Sequence, residues 1–144
     1  MSSPTSVKIM VADGDKNSLE VTHSLLFQEG YRVEKALRLN DVFHCLQREK
    51  IDVLILDVKM PEMKGYDAIP LIRGIDPHLP IIITAEENSP ELESEVRHHR
   101  VFYYHVKSFG PEELKLAVAS AIKKASGEKP SLQPLSQQDK LRRE

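Results

Sequence analysis

The chain has 144 residues, an average share of apolar and charged side chains and a formal charge of −2, which suits one globular domain with a short extension. That balance excludes an overall basic field for nucleic acid or anionic lipid, and no apolar run approaches the roughly 20 residues that cross a bilayer. The opening MSSPTSVK lacks a secretory apolar segment, and the lone Cys45 cannot form an internal disulfide, so a reducing, cytoplasmic setting is expected.

In chain order, VKIMVA (7–12), YRVEKA (31–36), DVLILD (52–57), PIIITA (80–85) and VFYYHV (101–106) read as five strands. Three are nearly continuous in Val, Ile and Leu, the pattern of parallel strands covered on both faces. Helical patterns fill 16–29, 40–50, 66–73, 90–99 and 111–125. Asn40 is expected to cap the second helix, Gly30 to follow the first, and Ser89-Pro90 to open the fourth. Leu92 and Val96 are the clear apolar anchors of that fourth helix. Pro70 fits its helix only in the first turn, and Cys45 reads as a small buried hydrophobe. Strand–helix alternation with short loops predicts an α/β fold, a doubly wound parallel sheet between two helical layers with right-handed crossovers. The expected divisions are an N-terminal tail over 1–6, a folded domain over 7–125 and a flexible polar tail over 126–144.

Open parallel sheets work at the carboxyl ends of their strands, and there the chemistry-bearing residues fall. Strand one stops at Asp13, strand three at Asp57, strand four at Thr84 and strand five before Lys107. Two carboxylates, a hydroxyl and an ammonium at one edge suit phosphoryl chemistry. A carboxylate attacks phosphorus, and a hydroxyl and a cation hold the oxygens where charge collects. A carboxylate ending a buried strand is also costly unless paired, which singles out Asp57.

Four pieces in register, Asp13, LDVKMPEMKG (56–65), IIITA (81–85) and YHVK (104–107), resemble the receiver domains of two-component response regulators from about Val7 to Ala125. The resemblance implies a flavodoxin-like sandwich of strand order 2-1-3-4-5 with five helices. It implies that Asp57 takes a phosphoryl group from a phosphohistidine, that Asp13, Asp57 and the Lys59 backbone carbonyl hold Mg²⁺, and that Thr84 and Lys107 grip phosphoryl oxygens. Thr84 and Tyr104 would form the conformational switch, with output through the surface of the fourth helix, fifth strand and fifth helix. The implied partners are a sensor histidine kinase or phosphotransfer protein, a downstream protein and a second copy in a homodimer, with neither nucleic acid nor membrane bound directly. The only catalysis implied is loss of its own aspartyl phosphate.

Two positions depart from that pattern. Gly14 stands where relatives carry a second acid, which implies weakened Mg²⁺ affinity, with water in place of the missing oxygen. Asp15 is expected to cap the first helix. Ser108 stands where relatives have a proline after a cis bond, and before serine a cis bond costs about 3 kcal/mol; sequence leaves cis and trans both open. His98-His99 reads as part of a solvated basic patch, since adjacent helix positions do not share a face. Two other readings stand beside the first. One is a degenerate receiver that binds partners without phosphorylation. The other is a haloacid-dehalogenase-like phosphatase with Asp13 as nucleophile and Asp15 as general acid, for which Glu112-Glu113 is the only late acidic pair after Lys107.

Overall fold

The apolar runs form the strands of one sheet. The computed structural model describes residues 7–127, so the predicted tail over 1–6, and all but the first two residues of the predicted tail over 126–144, lie outside the described residues. In chain order the elements are β1 (Lys8–Ala12), α1 (Lys16–Gln28), β2 (Arg32–Ala36), α2 (Leu39–Arg48), β3 (Val53–Asp57), a 3-10 turn (Gly65–Ala68), α3 (Ile69–Ile75), β4 (Ile81–Ala85), α4 (Pro90–Arg97), β5 (Tyr103–Val106), a second 3-10 turn (Lys107–Phe109) and α5 (Pro111–Ala125). The five strands pair in parallel, as the alternation predicted, and in the order β2-β1-β3-β4-β5 that the resemblance implied.

Side chains of a strand point alternately to its two faces, and the core divides accordingly. Met10, Leu54, Leu56, Ile81, Ile83 and Tyr104 pack with α2, α3 and α4. Ile9, Val11, Val53, Ile55, Ile82 and Tyr103 pack with α1 and α5. Every residue of β3 and β4 is buried, which is why their apolar runs are unbroken. The edge strand β2 is buried only at Ala36, and three of its five residues, Arg32, Glu34 and Lys35, are charged.

Several helix ends match the local signals. Asp15 caps α1, its carboxylate accepting from the Ser18 N–H at 3.1 Å. Gly30, at φ 95°, follows that helix. Ser89 caps α4 by accepting from the Leu92 N–H at 3.1 Å, with Pro90 in the first turn, and Val96 is buried with Leu92 packed against the core. Cys45 is buried.

Asn40 is a correction. It lies inside α2, which begins at Leu39 after Arg38 and has no side-chain cap of its own. Glu62 does that work from the loop after β3. Its carboxylate accepts from the N–H groups of Leu39 at 2.9 Å and Asn40 at 3.2 Å. Glu62 is partly desolvated there, but the two N–H donors prevail and hold its pKa below the ordinary glutamate value. Glu62→Ala should therefore lower stability by about 1 kcal/mol, the usual worth of a helix cap. Asn40→Ala should change the urea midpoint far less; equal effects would return the cap to Asn40.

The predicted third helix is split, and its α-helical part starts with Ile69, so Pro70 falls in the first turn. At the end of α3, Arg73 donates from one terminal nitrogen to the Leu79 carbonyl and from the other to the Arg100 carbonyl at 2.7 Å. Its Nε is buried with no hydrogen-bond partner among the described residues. The α4 helix stops at Arg97, two residues short of the expected end. The His98 Nδ1 lies 2.7 Å from the Ser94 carbonyl oxygen, and His99 tilts over Tyr66 at 6.1 Å. The Lys107–Ser108 bond is trans, since no cis peptide occurs among the described residues. The chain turns instead through the short 3-10 segment, closed by Gly110 N–H to Lys107 carbonyl at 3.1 Å.

Candidate functional site

The sheet brings Asp13, Asp57, Thr84 and Lys107 to one edge. Thr84 lies beside Asp57 in the β3–β4 register, while Asp13 and Lys107 each follow the last residue of a strand. The Lys107 ammonium stands 2.9 Å from Asp13 Oδ2 and 2.9 Å from Asp57 Oδ1. It also donates to Ser18 Oγ at 2.5 Å. The Thr84 hydroxyl donates to Asp57 Oδ1 at 2.6 Å, and the Lys59 N–H to Asp57 Oδ2 at 2.9 Å. Asp13 Oδ1 accepts from the Asp15 N–H at 2.9 Å. All four side chains predicted to meet do meet.

Asp57 is only 3% exposed. Burial raises its pKa above the ordinary aspartate value, and the Thr84 hydroxyl and Lys107 ammonium only partly offset that rise. Burial also pushes on Lys107 in the direction of losing its charge, but the Asp57 and Asp13 carboxylates outweigh it and raise its pKa. Desolvation thus sets the direction at the Asp57 carboxylate, and the two carboxylates set it at the Lys107 ammonium. Lys107 retains 22% exposure and forms the outer cover of the pair.

Gly14 is placed where sequence alone could not put it. Its N–H donates to the Lys59 carbonyl at 2.8 Å, joining the loop after β1 to the loop after β3. Asp15 does not turn toward Asp57, because its carboxylate caps α1. Tyr104 is buried beneath the β4–α4 loop, its hydroxyl donating to Asn88 Oδ1 at 2.8 Å. Sequence reasoning missed Ser18 and Asn88 as side-chain partners; each carries only the faint signal of a polar residue one turn into, or just ahead of, a helix. It also missed His105, buried on the α1–α5 face with Nδ1 3.5 Å from Glu113 Oε1.

Can this site hold a divalent ion? Among the described residues no three acidic, histidine or cysteine side chains converge. Two carboxylates do converge, with the Lys107 ammonium between them as a stand-in cation. Hard oxygens of that kind, completed by water, suit Mg²⁺, which commonly rests on one or two carboxylates. The donors present fit the ion, with Lys107 competing for its place.

Comparison with known proteins agrees with this geometry. Residues 9–119 match the family described as the response regulator receiver domain. The chain is 28% identical over 114 residues to the DNA-binding transcriptional regulator NtrC of Proteus hauseri, covering 79% of this chain and 24% of that protein. It is 32% identical over 87 residues to the CAI-1 autoinducer sensor kinase/phosphatase CqsS of Vibrio cholerae, covering 58% of this chain and 13% of that one. The chain thus spans less than a quarter of the length of these relatives. Among solved structures, the BeF3-activated DrrB receiver domain superposes with a TM-score of 0.72 at 28% identity, covering 81% of this chain and 97% of that one. A CheY-like receiver domain from Methanospirillum hungatei shares the fold at a TM-score of 0.77 and 21% identity, with 84% and 97% covered. With its strand order, its acidic edge and a match over most of the described residues, the chain belongs to the response regulator receiver domain family.

Proposed function

We propose that Asp57 is the phosphoacceptor of a two-component signalling pathway. The observation that carries this reading is the Asp57 carboxylate held at once by the Thr84 hydroxyl, the Lys107 ammonium and the Lys59 N–H. Those donors aim at the place where negative charge gathers on a transferring phosphoryl group. In the transfer, an Asp57 oxygen bonds to phosphorus as the bond from phosphorus to the histidine nitrogen of a partner kinase breaks. The electron pair leaves with the imidazole, which then takes a proton. Thr84 and Lys107 hold the equatorial oxygens, and withdrawal of the long Lys107 arm opens the acceptor oxygen. Asp13, Asp57 and the Lys59 carbonyl would hold Mg²⁺, with affinity weakened by Gly14, and the ion would supply charge against the mutual repulsion of the two anions.

Receiver domains are signalling domains rather than enzymes. For this chain the only turnover proposed is hydrolysis of its own aspartyl phosphate. Thr84 and Tyr104 would relay the modified state to the surface of α4, β5 and α5, where a downstream protein or a second copy docks. A dimeric state is named for the solved NtrC4 receiver domain, and a sensor kinase activity for the CqsS relative. A cytoplasmic setting suits such partners; among the described residues no helix is long and apolar enough to cross a membrane. The division into a domain over 7–125 and tails over 1–6 and 126–144 belongs to this proposal.

A second reading keeps the fold without the chemistry. It is favoured by Gly14 in place of an acid and by the Lys107 ammonium occupying both carboxylates that would hold a metal. One experiment separates the two. Incubation with acetyl phosphate and excess Mg²⁺ should add the mass of one phosphoryl group to the intact chain and none to Asp57→Asn. Absence of any gain at high metal selects the phosphorylation-independent module, and a gain that survives Asp57→Asn moves the acceptor elsewhere, Asp13 first.

A further inference from the structure

The missing acid at position 14 has a structural counterpart. The Gly14 N–H donates to the Lys59 carbonyl at 2.8 Å, the same oxygen proposed to face the metal. A Cβ built on Gly14 would lie 2.5 Å from that oxygen, 3.4 Å from its carbon and 3.3 Å from Pro61 Cδ. The two closest backbone atoms belong to one peptide group and cannot rotate aside as a flexible side chain would, so no side chain fits at 14 while the two loops stay this close. Only glycine permits the bond.

From this geometry we infer that Gly14 is a positioning residue, a latch that closes the loop after β1 onto the loop after β3 and sets the metal affinity of the Asp57 pocket. This rests on the reading above that the pocket takes a divalent cation. The latch occupies a lone pair of the Lys59 carbonyl and aims the positive end of an N–H dipole at it. A cation approaching that oxygen meets the dipole and must compete with it. Lys107 holds the two carboxylates in the same closed state, so metal entry requires both the ammonium and the latch to give way. Gly14 is therefore more than a ligand lost. It also withholds a ligand that remains in the chain.

That distinction has a counterintuitive consequence. Gly14→Ala adds no oxygen, and the loss of an acid alone predicts no change in metal binding between glycine and alanine. The latch predicts that alanine, by forcing the loops apart, tightens Mg²⁺ binding roughly three- to tenfold, the range that corresponds to removing one competing hydrogen bond. Isothermal calorimetry of the full chain with MgCl₂ reads this directly. Circular dichroism of each variant checks that it is folded. A second measurement needs no variant: the Gly14 amide should exchange slowly in the metal-free wild type and faster at saturating Mg²⁺, which a purely structural glycine would not do.

Equal or weaker Mg²⁺ binding by folded Gly14→Ala overturns the latch, as does Gly14 amide exchange that ignores Mg²⁺. Gly14→Asp distinguishes this from failure of the metal reading itself. If Gly14→Asp binds Mg²⁺ tightly while Gly14→Ala matches wild type, the latch alone fails. If wild type and both variants all bind no Mg²⁺, the metal reading fails and the latch with it.

Discussion

Lys107→Met is expected to lower folding stability by about 3 kcal/mol at neutral pH, and most of that loss should vanish near pH 4. The substitution keeps an unbranched chain of similar length and removes the cation between Asp13 and Asp57. Deleting one partner of a buried ion pair leaves an uncompensated charge and costs on the order of 3–5 kcal/mol; the 22% exposure of Lys107 places the effect at the lower end. The pH dependence follows from Asp57, whose pKa burial already raises and which rises further without the ammonium. Between the ordinary aspartate value and the raised one, the folded state binds more protons than the unfolded state. Stability is then fully present below about pH 4 and is lost as pH climbs through that window. The raised pKa of Lys107 itself matters only at alkaline pH, where its contribution fades. Urea unfolding of wild type and variant at pH 4 and pH 7 tests this; a deficit of equal size at both values would place the energy in packing rather than charge.

Gly65→Ala should be comparably damaging for a different reason. A Cβ there would lie 2.1 Å from the backbone oxygen of Asp57 and 3.0 Å from its carbonyl carbon. The contacted atoms are main chain, and Gly65 is pinned by its own N–H to the Val58 carbonyl at 2.9 Å. Relief requires moving the end of β3, so a loss of at least about 3 kcal/mol is expected, at the upper range of overpacking. The acceptor carboxylate should shift with it and phosphoryl uptake fall. Gly74 in α3 provides the control, because nothing lies within 4 Å of a Cβ built there. Gly74→Ala should be neutral or stabilising by up to about 1 kcal/mol. A urea midpoint for Gly65→Ala no lower than for Gly74→Ala would refute the close approach.

The fold was legible because its strongest determinants are local. DVLILD and PIIITA are apolar at nearly every position, a pattern that suits strands covered on both faces, and strand–helix alternation narrows the topology. The four edge residues were legible for the same reason, since each ends or follows a strand whose end the apolar run marks. Interactions distant in sequence were not. The cap of α2 comes from Glu62, 23 residues beyond the N–H it receives, while Asn40 offered a local signal that tertiary structure overrode. Gly14 read as the absence of a carboxylate, because no sequence pattern reveals that its N–H meets the carbonyl of Lys59. The trans bond at Lys107–Ser108 depended on how the following turn closed, which local preference leaves open.

Arg73 has a consequence for how the molecule can move. Its guanidinium stitches the end of α3 to the chain entering β4 and to the chain entering β5, at the rim of the sheet remote from the acidic edge. Three segments are fastened there by one side chain, so they should resist separate movement at that rim. A lysine at 73, lacking the planar fork, could not make both bonds at once and should loosen that rim.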